Sequence, residues 1–252
     1  MIFNDARLKI ERANHHINCA KTRIARMHET DTARIDVNEK TGGEILTHDF
    51  TDATAFDDIA LIVGDAVHNL NCALDYTWLQ TIERFAPSLV KDRAKFPVHK
   101  TINEVQGSLA KAEVDTICQN LYRFMLDAIK PCEGGDHAIW PIHSLDNRDK
   151  HRLLLPVLSQ ATLTGIRVVD EHGETWPGFG ATAAFQRPPY IIAYERGIHV
   201  KDKGKITAQI AVQNGKLGYP VLIPESLMTY AHFILRTVEL FEAFGELGAS
   251  PI

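Results

Sequence analysis

Ile59-Ala60-Leu61-Ile62-Val63-Gly64-Asp65-Ala66-Val67-His68-Asn69-Leu70-Asn71-Cys72-Ala73-Leu74-Asp75-Tyr76-Thr77 opens a proline-free run that continues to Phe85. At 100° per residue, Ile59, Val63, Val67, Leu70, Leu74 and Thr77 gather on one side, the signature of a helix with a core stripe. Asp65, His68, Cys72 and Asp75 fall within an arc of roughly 80° on the other side. Two carboxylates and an imidazole aligned on one helical face are either solvated or turned toward a site.

Working toward the N-terminus, Asp52 or Thr54 is placed to cap this helix. Before it, the glycine pair in Lys40-Thr41-Gly42-Gly43 separates two short alternating segments, which predicts a β-hairpin over residues 34–50. Residues 3–29 carry Phe3, Ala6, Ile10, Ala13, Ile17, Ala20, Ile24 and Met27 at alternating steps of three and four, a heptad seam. Alanine at every second position lets a partner helix approach closely, and that partner is either internal or a second copy in a homodimer.

Toward the C-terminus, Pro87 closes the central helix and residues 86–100 read as an irregular crossing containing Phe96-Pro97-Val98. Helices are expected near 101–113, 115–130 and 140–155, with Pro141 accommodated in a first turn and Pro156 just beyond the last. The texture then becomes β-rich at 161–170, 180–186, 190–194 and 205–213. Turn signals lie at Glu171-His172-Gly173, Lys201-Asp202-Lys203-Gly204 and Asn214-Gly215. Pro224-Glu225-Ser226 opens a last amphipathic helix. The expected fold is α+β: a helical region 1–156 with an inserted hairpin, then a β-rich region 157–252 with an antiparallel sheet and a final helix. No flexible linker marks the composition shift, so the two pack as one unit.

The 252 residues carry 27 Lys and Arg against 32 Asp and Glu, a net charge of −5. That excludes a broad basic footprint for nucleic acid and leaves room for a local basic groove. Four cysteines without short paired spacing give no zinc ribbon, redox pair or disulfide framework. No apolar run reaches the ~18 residues of a membrane span, and the first residues lack the features of a secretory signal. A cytoplasmic protein with reduced thiols and no membrane partner is expected. No motif names a cofactor.

Two segments carry candidate chemistry. On the central helix, Asp65, His68 and Asp75 occupy successive turns of one face, close enough to share a metal or a proton. Asn147-Arg148-Asp149-Lys150-His151-Arg152 collects three cations, a carboxylate and an imidazole near a helix C-terminus, where cations also favour the macrodipole. If the two segments face each other, they close a polar groove lined by Asp65, His68, Asn69, Asp75, Asp149, Lys150, His151 and Arg152. Weaker signals are His15-His16, the aromatic turn Trp176-Pro177-Gly178-Phe179-Gly180, the Gly134-Gly135-Asp136 turn before a helix, and a thiol–imidazole pairing of Cys72 with His68.

Gly64-Asp65-Ala66-Val67-His68-Asn69-Leu70-Asn71-Cys72-Ala73-Leu74-Asp75-Tyr76 and Asp149-Lys150-His151-Arg152 resemble an uncharacterised bacterial protein family. Its members share G-D-x-x-H-N-L-R-S-A-L-D-H and a later D-K-H-R, and Phe96-Pro97-Val98 is similar to their F-P-I. The likeness covers roughly residues 1–155. The family's arginine and histidine are in turn similar to the R-x4–6-H signature of HEPN domains, helical dimers that include metal-independent ribonucleases. In such a site arginine would hold phosphate and histidine would move a proton. Here Asn71 and Tyr76 stand at those positions, so the resemblance implies a HEPN-like nucleotide- or RNA-binding or regulatory protein with a degenerate nuclease motif. His68, His151 and Asp75 are the groups left for acid–base work, with Asp65, Asn69, Asp149, Lys150 and Arg152 for ligand contact. The alternatives are a metal-assisted hydrolase holding its ion with Asp65, His68, Asp75 and His151, and a non-enzymatic interaction protein whose polar groups only tie helices together.

Overall fold

The structure is a computed structural model that describes residues 3–52, 54–89, 95–152, 155, 157–177, 186–213, 216–217 and 219–247. Helix α1 (Asn4–His28) leads into the hairpin β1 (Asp31–Val37) and β2 (Glu44–Phe50), and α2 (Ala55–Phe85) follows. Short helices α3 (Ile102–Lys111), α4 (Val114–Ile117) and α5 (Gln119–Phe124), the last continued by a π turn over Met125–Ile129, precede α6 (Ile139–Arg152). The chain ends with β3 (Val157–Val169), β4 (Thr175–Pro177), β5 (Tyr190–Ala193), β6 (His199–Gln213), β7 (Pro220–Ile223) and α7 (Glu225–Leu247). The α+β class expected from the periodicities is the class observed. Among the described residues, no helix is long and apolar enough to cross a membrane.

The α1 seam is buried along its length, and α1 packs against α2 and α7. The residues that suggested a homodimer through 3–29 are thus covered by the chain's own helices. At the far end, Arg23 reaches Asp52 at 2.6 Å and Asp58 at 2.8 Å, fastening α1 to the start of α2. Asp52 accepts the backbone N–H and hydroxyl of Thr54, so it shapes the entry turn. Thr54 occupies the cap position, but its side chain accepts no backbone N–H of the helix.

Every residue of the α2 core stripe is buried, from Ile59 to Thr77. Each such Val, Leu or Ile contributes about 1.5–3 kcal/mol on burial, which explains why this face turns inward and the polar arc turns out. Beyond α2, Trp78, Phe96, Phe241, Phe124 and Phe244 form an edge-to-face and stacked chain that joins the 95–98 segment and α7 to α2.

Strands assemble as β1-β2-β5 and β4-β3-β6-β7, all antiparallel. The first sheet takes two strands from the helical half and one from the β-rich half: Ile45 pairs with Ala193 and His48 with Tyr190. The composition shift near residue 157 therefore does not divide the packing.

Lys201-Asp202-Lys203-Gly204 is not the turn expected of it, because β6 runs straight through. Its pairing with β3 skips a residue between Arg167 and Val168, and Asp202 Oδ1 accepts the Gly204 N–H locally. A Cβ at Gly204, where φ is +68°, would lie 2.4 Å from the Thr164 carbonyl oxygen, so the glycine serves close strand approach. The Glu171-His172-Gly173 turn is present, with Asp170 accepting the His172 and Glu174 N–H groups. The strand expected at 180–186 and the turn at Asn214-Gly215 lie largely outside the described residues.

Candidate functional site

The close approach of α2 and α6 begins at Gly64. A Cβ there would meet both carboxylate oxygens of Asp149 at 2.9 Å, so glycine lets α6 lay an acidic side chain directly on the α2 backbone. One turn along α2, His68 Nδ1 lies 3.0 Å from Oδ1 of Asp146. The other Asp146 oxygen receives the Lys150 ammonium at 2.5 Å, an i,i+4 pair on α6. Asp146 is 1% exposed, while His68 and Lys150 are 48% and 43% exposed. A buried carboxylate thus anchors an imidazole and an ammonium whose outer surfaces meet solvent. On the solvent side, Cys72 Sγ lies 3.5 Å from His68 Nε2.

The acidic helix face and the basic cluster do meet, and Asp146 is what joins them. In the sequence Asp146 is only the residue before the Asn147–Arg152 run. Its i,i+4 spacing to Lys150, on the helical face shared by His143 and Asn147, is the available signal.

The polar arc of α2 has three destinations. Asp65 and Asn69 turn to α1: Asp65 is 4.0 Å from His16 Nδ1, and Asn69 accepts from Lys9 Nζ at 3.4 Å while its amide donates to the Asp65 carbonyl. His68 and Cys72 turn to α6. Asp75 turns to the crossing segment, where it accepts the Phe96 N–H at 2.9 Å. Asp149 and Lys150 stand at the groove, whereas the His151 and Arg152 side chains lie outside the described residues. Asn71 is buried, 7% exposed, and Tyr76 is 38% exposed.

Burial pushes the Asp75 carboxyl above its ordinary range, with Asp146 adding to the effect and the Phe96 N–H, Lys95 and Lys150 opposing it. Asp149 is raised for the same first reason, reinforced by Asp146 and Asp65. Burial lowers His143, whose Nε2 accepts from the Asn147 amide at 2.8 Å; Lys150, His99 and Lys95 add to the lowering, and Asp146 opposes it. Burial also pushes the Cys72 thiol up, Asp75 and Asp146 acting in the same direction against Lys9 and Lys150. Three lysines from three elements, Lys9, Lys95 and Lys150, therefore act electrostatically on this patch.

Among the described residues, no three His, Cys, Asp or Glu side chains converge in a metal-holding group. Asp65, His68 and Asp75, three of the four ligands expected for a hydrolytic metal, point to α1, α6 and the 95–99 segment respectively. The N-terminus of α6 is likewise occupied from within: Asp136 Oδ1 accepts the Ala138 and Ile139 N–H groups at 2.7 and 2.9 Å. Two of the backbone donors that this helix start could offer an anion are thereby taken.

Comparison with protein families, characterised proteins and solved structures returned no match for this chain.

Proposed function

We propose that the crevice between α2 and α6 receives a phosphate-bearing ligand, a nucleotide or an RNA strand, and that the chain is a HEPN-like binding or regulatory protein. The observation that carries this reading is His68, held on Nδ1 by buried Asp146 and half-exposed at its outer edge, with Lys150 on the same carboxylate and lysines from α1, the crossing segment and α6 acting electrostatically on its α2 neighbours Cys72 and Asp75. A carboxylate on Nδ1 orients the ring and leaves its outer edge to meet a ligand. Burial raises the pKa of two of the surrounding carboxylates, Asp75 and Asp149, above the ordinary carboxylate range. The net charge of −5 restricts such recognition to this local patch.

The test is equilibrium binding of an adenine nucleotide and of a short single-stranded RNA, measured across a salt series. Binding should weaken as salt rises. Lys9→Ala with Lys150→Ala should lower the log–log slope for RNA by about 0.7 for each phosphate that a lysine no longer neutralises. Absence of binding to both probes, together with a clear fall in melting temperature for His68→Ala, would instead support polar groups that only tie helices together.

A further inference from the structure

Cys72 stands one turn beyond His68 on α2, and the contacts run on from it in sequence. Sγ lies 3.5 Å from His68 Nε2, and His68 Nδ1 lies 3.0 Å from Asp146 Oδ1. Thiol, imidazole and carboxylate therefore form a chain from the partly exposed surface of α2 to a buried group on α6. That is the order of nucleophile, base and orienting group. A carboxylate on Nδ1 selects the tautomer that leaves Nε2 free to accept a thiol proton. Burial raises the thiol pKa, and Lys9 and Lys150 favour its charged form against Asp75 and Asp146.

An internal comparison exists on α1. Cys19 Sγ lies 3.6 Å from His15 Nε2 at the same i,i+4 spacing, but among the described residues no carboxylate is paired with His15. Both cysteines are partly exposed. The two pairs differ in the third member.

We propose that Cys72, His68 and Asp146 form a nucleophilic site that takes an acyl group from an activated ester or thioester. Cys72 and His68 are the catalytic residues and Asp146 is a positioning residue. In acylation, Sγ bonds to the carbonyl carbon as its proton passes to His68 Nε2. Collapse breaks the bond to the leaving oxygen or sulfur, and His68 returns the proton to the departing alcohol or thiol. In deacylation, water gives a proton to Nε2 and adds to the acyl carbon. Sγ then leaves, recovers that proton from His68, and a carboxylic acid is released. His68 touches the thiol, and Lys9 from α1, Asp75 from α2, and Asp146 and Lys150 from α6 act on it electrostatically, so these groups set its response to pH. This inference stands apart from the phosphate-ligand reading, because it uses the thiol and a carbonyl electrophile.

The full chain is incubated with p-nitrophenyl acetate, and thioester formation at each cysteine is mapped by peptide mass spectrometry over a pH series. Cys72 should acetylate at least about tenfold faster than Cys19, and His68→Gln should slow Cys72 by about a hundredfold. The Cys19 rate, unchanged in that variant, reports that the fold is retained. Asp146→Asn should change the pH profile of Cys72 and leave that of Cys19 alone. Equal rates at the two cysteines, a Cys72 rate indifferent to His68→Gln, or an Asp146→Asn profile identical to the parent would overturn the proposal.

Discussion

Asp146 divides its two oxygens between residues of different helices, His68 on α2 and Lys150 on α6. Burying a lone carboxylate costs several kcal/mol, so it persists at 1% exposure only because both oxygens have partners. His143, a turn before it on α6, has the opposite problem. It is better accommodated neutral, since burial disfavours its charged form, with Lys150, His99 and Lys95 adding to this and Asp146 giving partial compensation, and the neutral Nε2 accepts from the Asn147 amide. Its folded pKa lies below the ordinary value of about 6.5. The neutral ring's contribution to stability is therefore complete above that value and is lost as pH falls through the folded pKa. Melting temperature followed from about pH 8 down to about pH 5 should fall, and His143→Gln should flatten that fall. Asp75 and Asp149, raised by burial, act with the opposite sign. Their contribution is complete below the ordinary carboxylate range and is lost as pH rises through their folded pKa values.

At the scale of elements, Gly64 governs how closely α6 approaches α2. Alanine in a helix interior is favoured over glycine by about 1 kcal/mol, yet a methyl group here intrudes on the Asp149 carboxylate. Gly64→Ala alone should therefore fall short of that gain, and in an Asp149→Ala background the gain should reappear, as read by denaturant midpoints. The α2 and α1 helices are legible in the sequence because long apolar stripes leave few alternatives for burial. The three destinations of the α2 polar arc are not legible, since helical periodicity assigns a side chain to a face and says nothing about which element covers it. The stretch Lys201–Gly204 misleads for a related reason. Asp202 and Gly204 do form a local turn-like bond, but pairing of β6 with β3 on both sides of it absorbs the irregularity as a bulge.

For the whole molecule, the α+β class follows from the switch in hydrophobic period. The interlock does not, because β2–β5 pairing joins residues far apart in the chain and leaves no local trace. The candidate site is half legible. His68, Asp149 and Lys150 are anticipated at a shared groove, and the crossing of α2 with α6 brings them there. Asp146 escapes notice because an isolated acidic residue beside a basic run reads as surface. The site depends on that residue coupling the two helices, and a double-mutant cycle in stability between His68→Ala and Asp146→Ala tests it most directly. Coupling of about 1–3 kcal/mol is expected, the range for a hydrogen bond to a charged, buried partner. Additivity to within about 0.5 kcal/mol would contradict it.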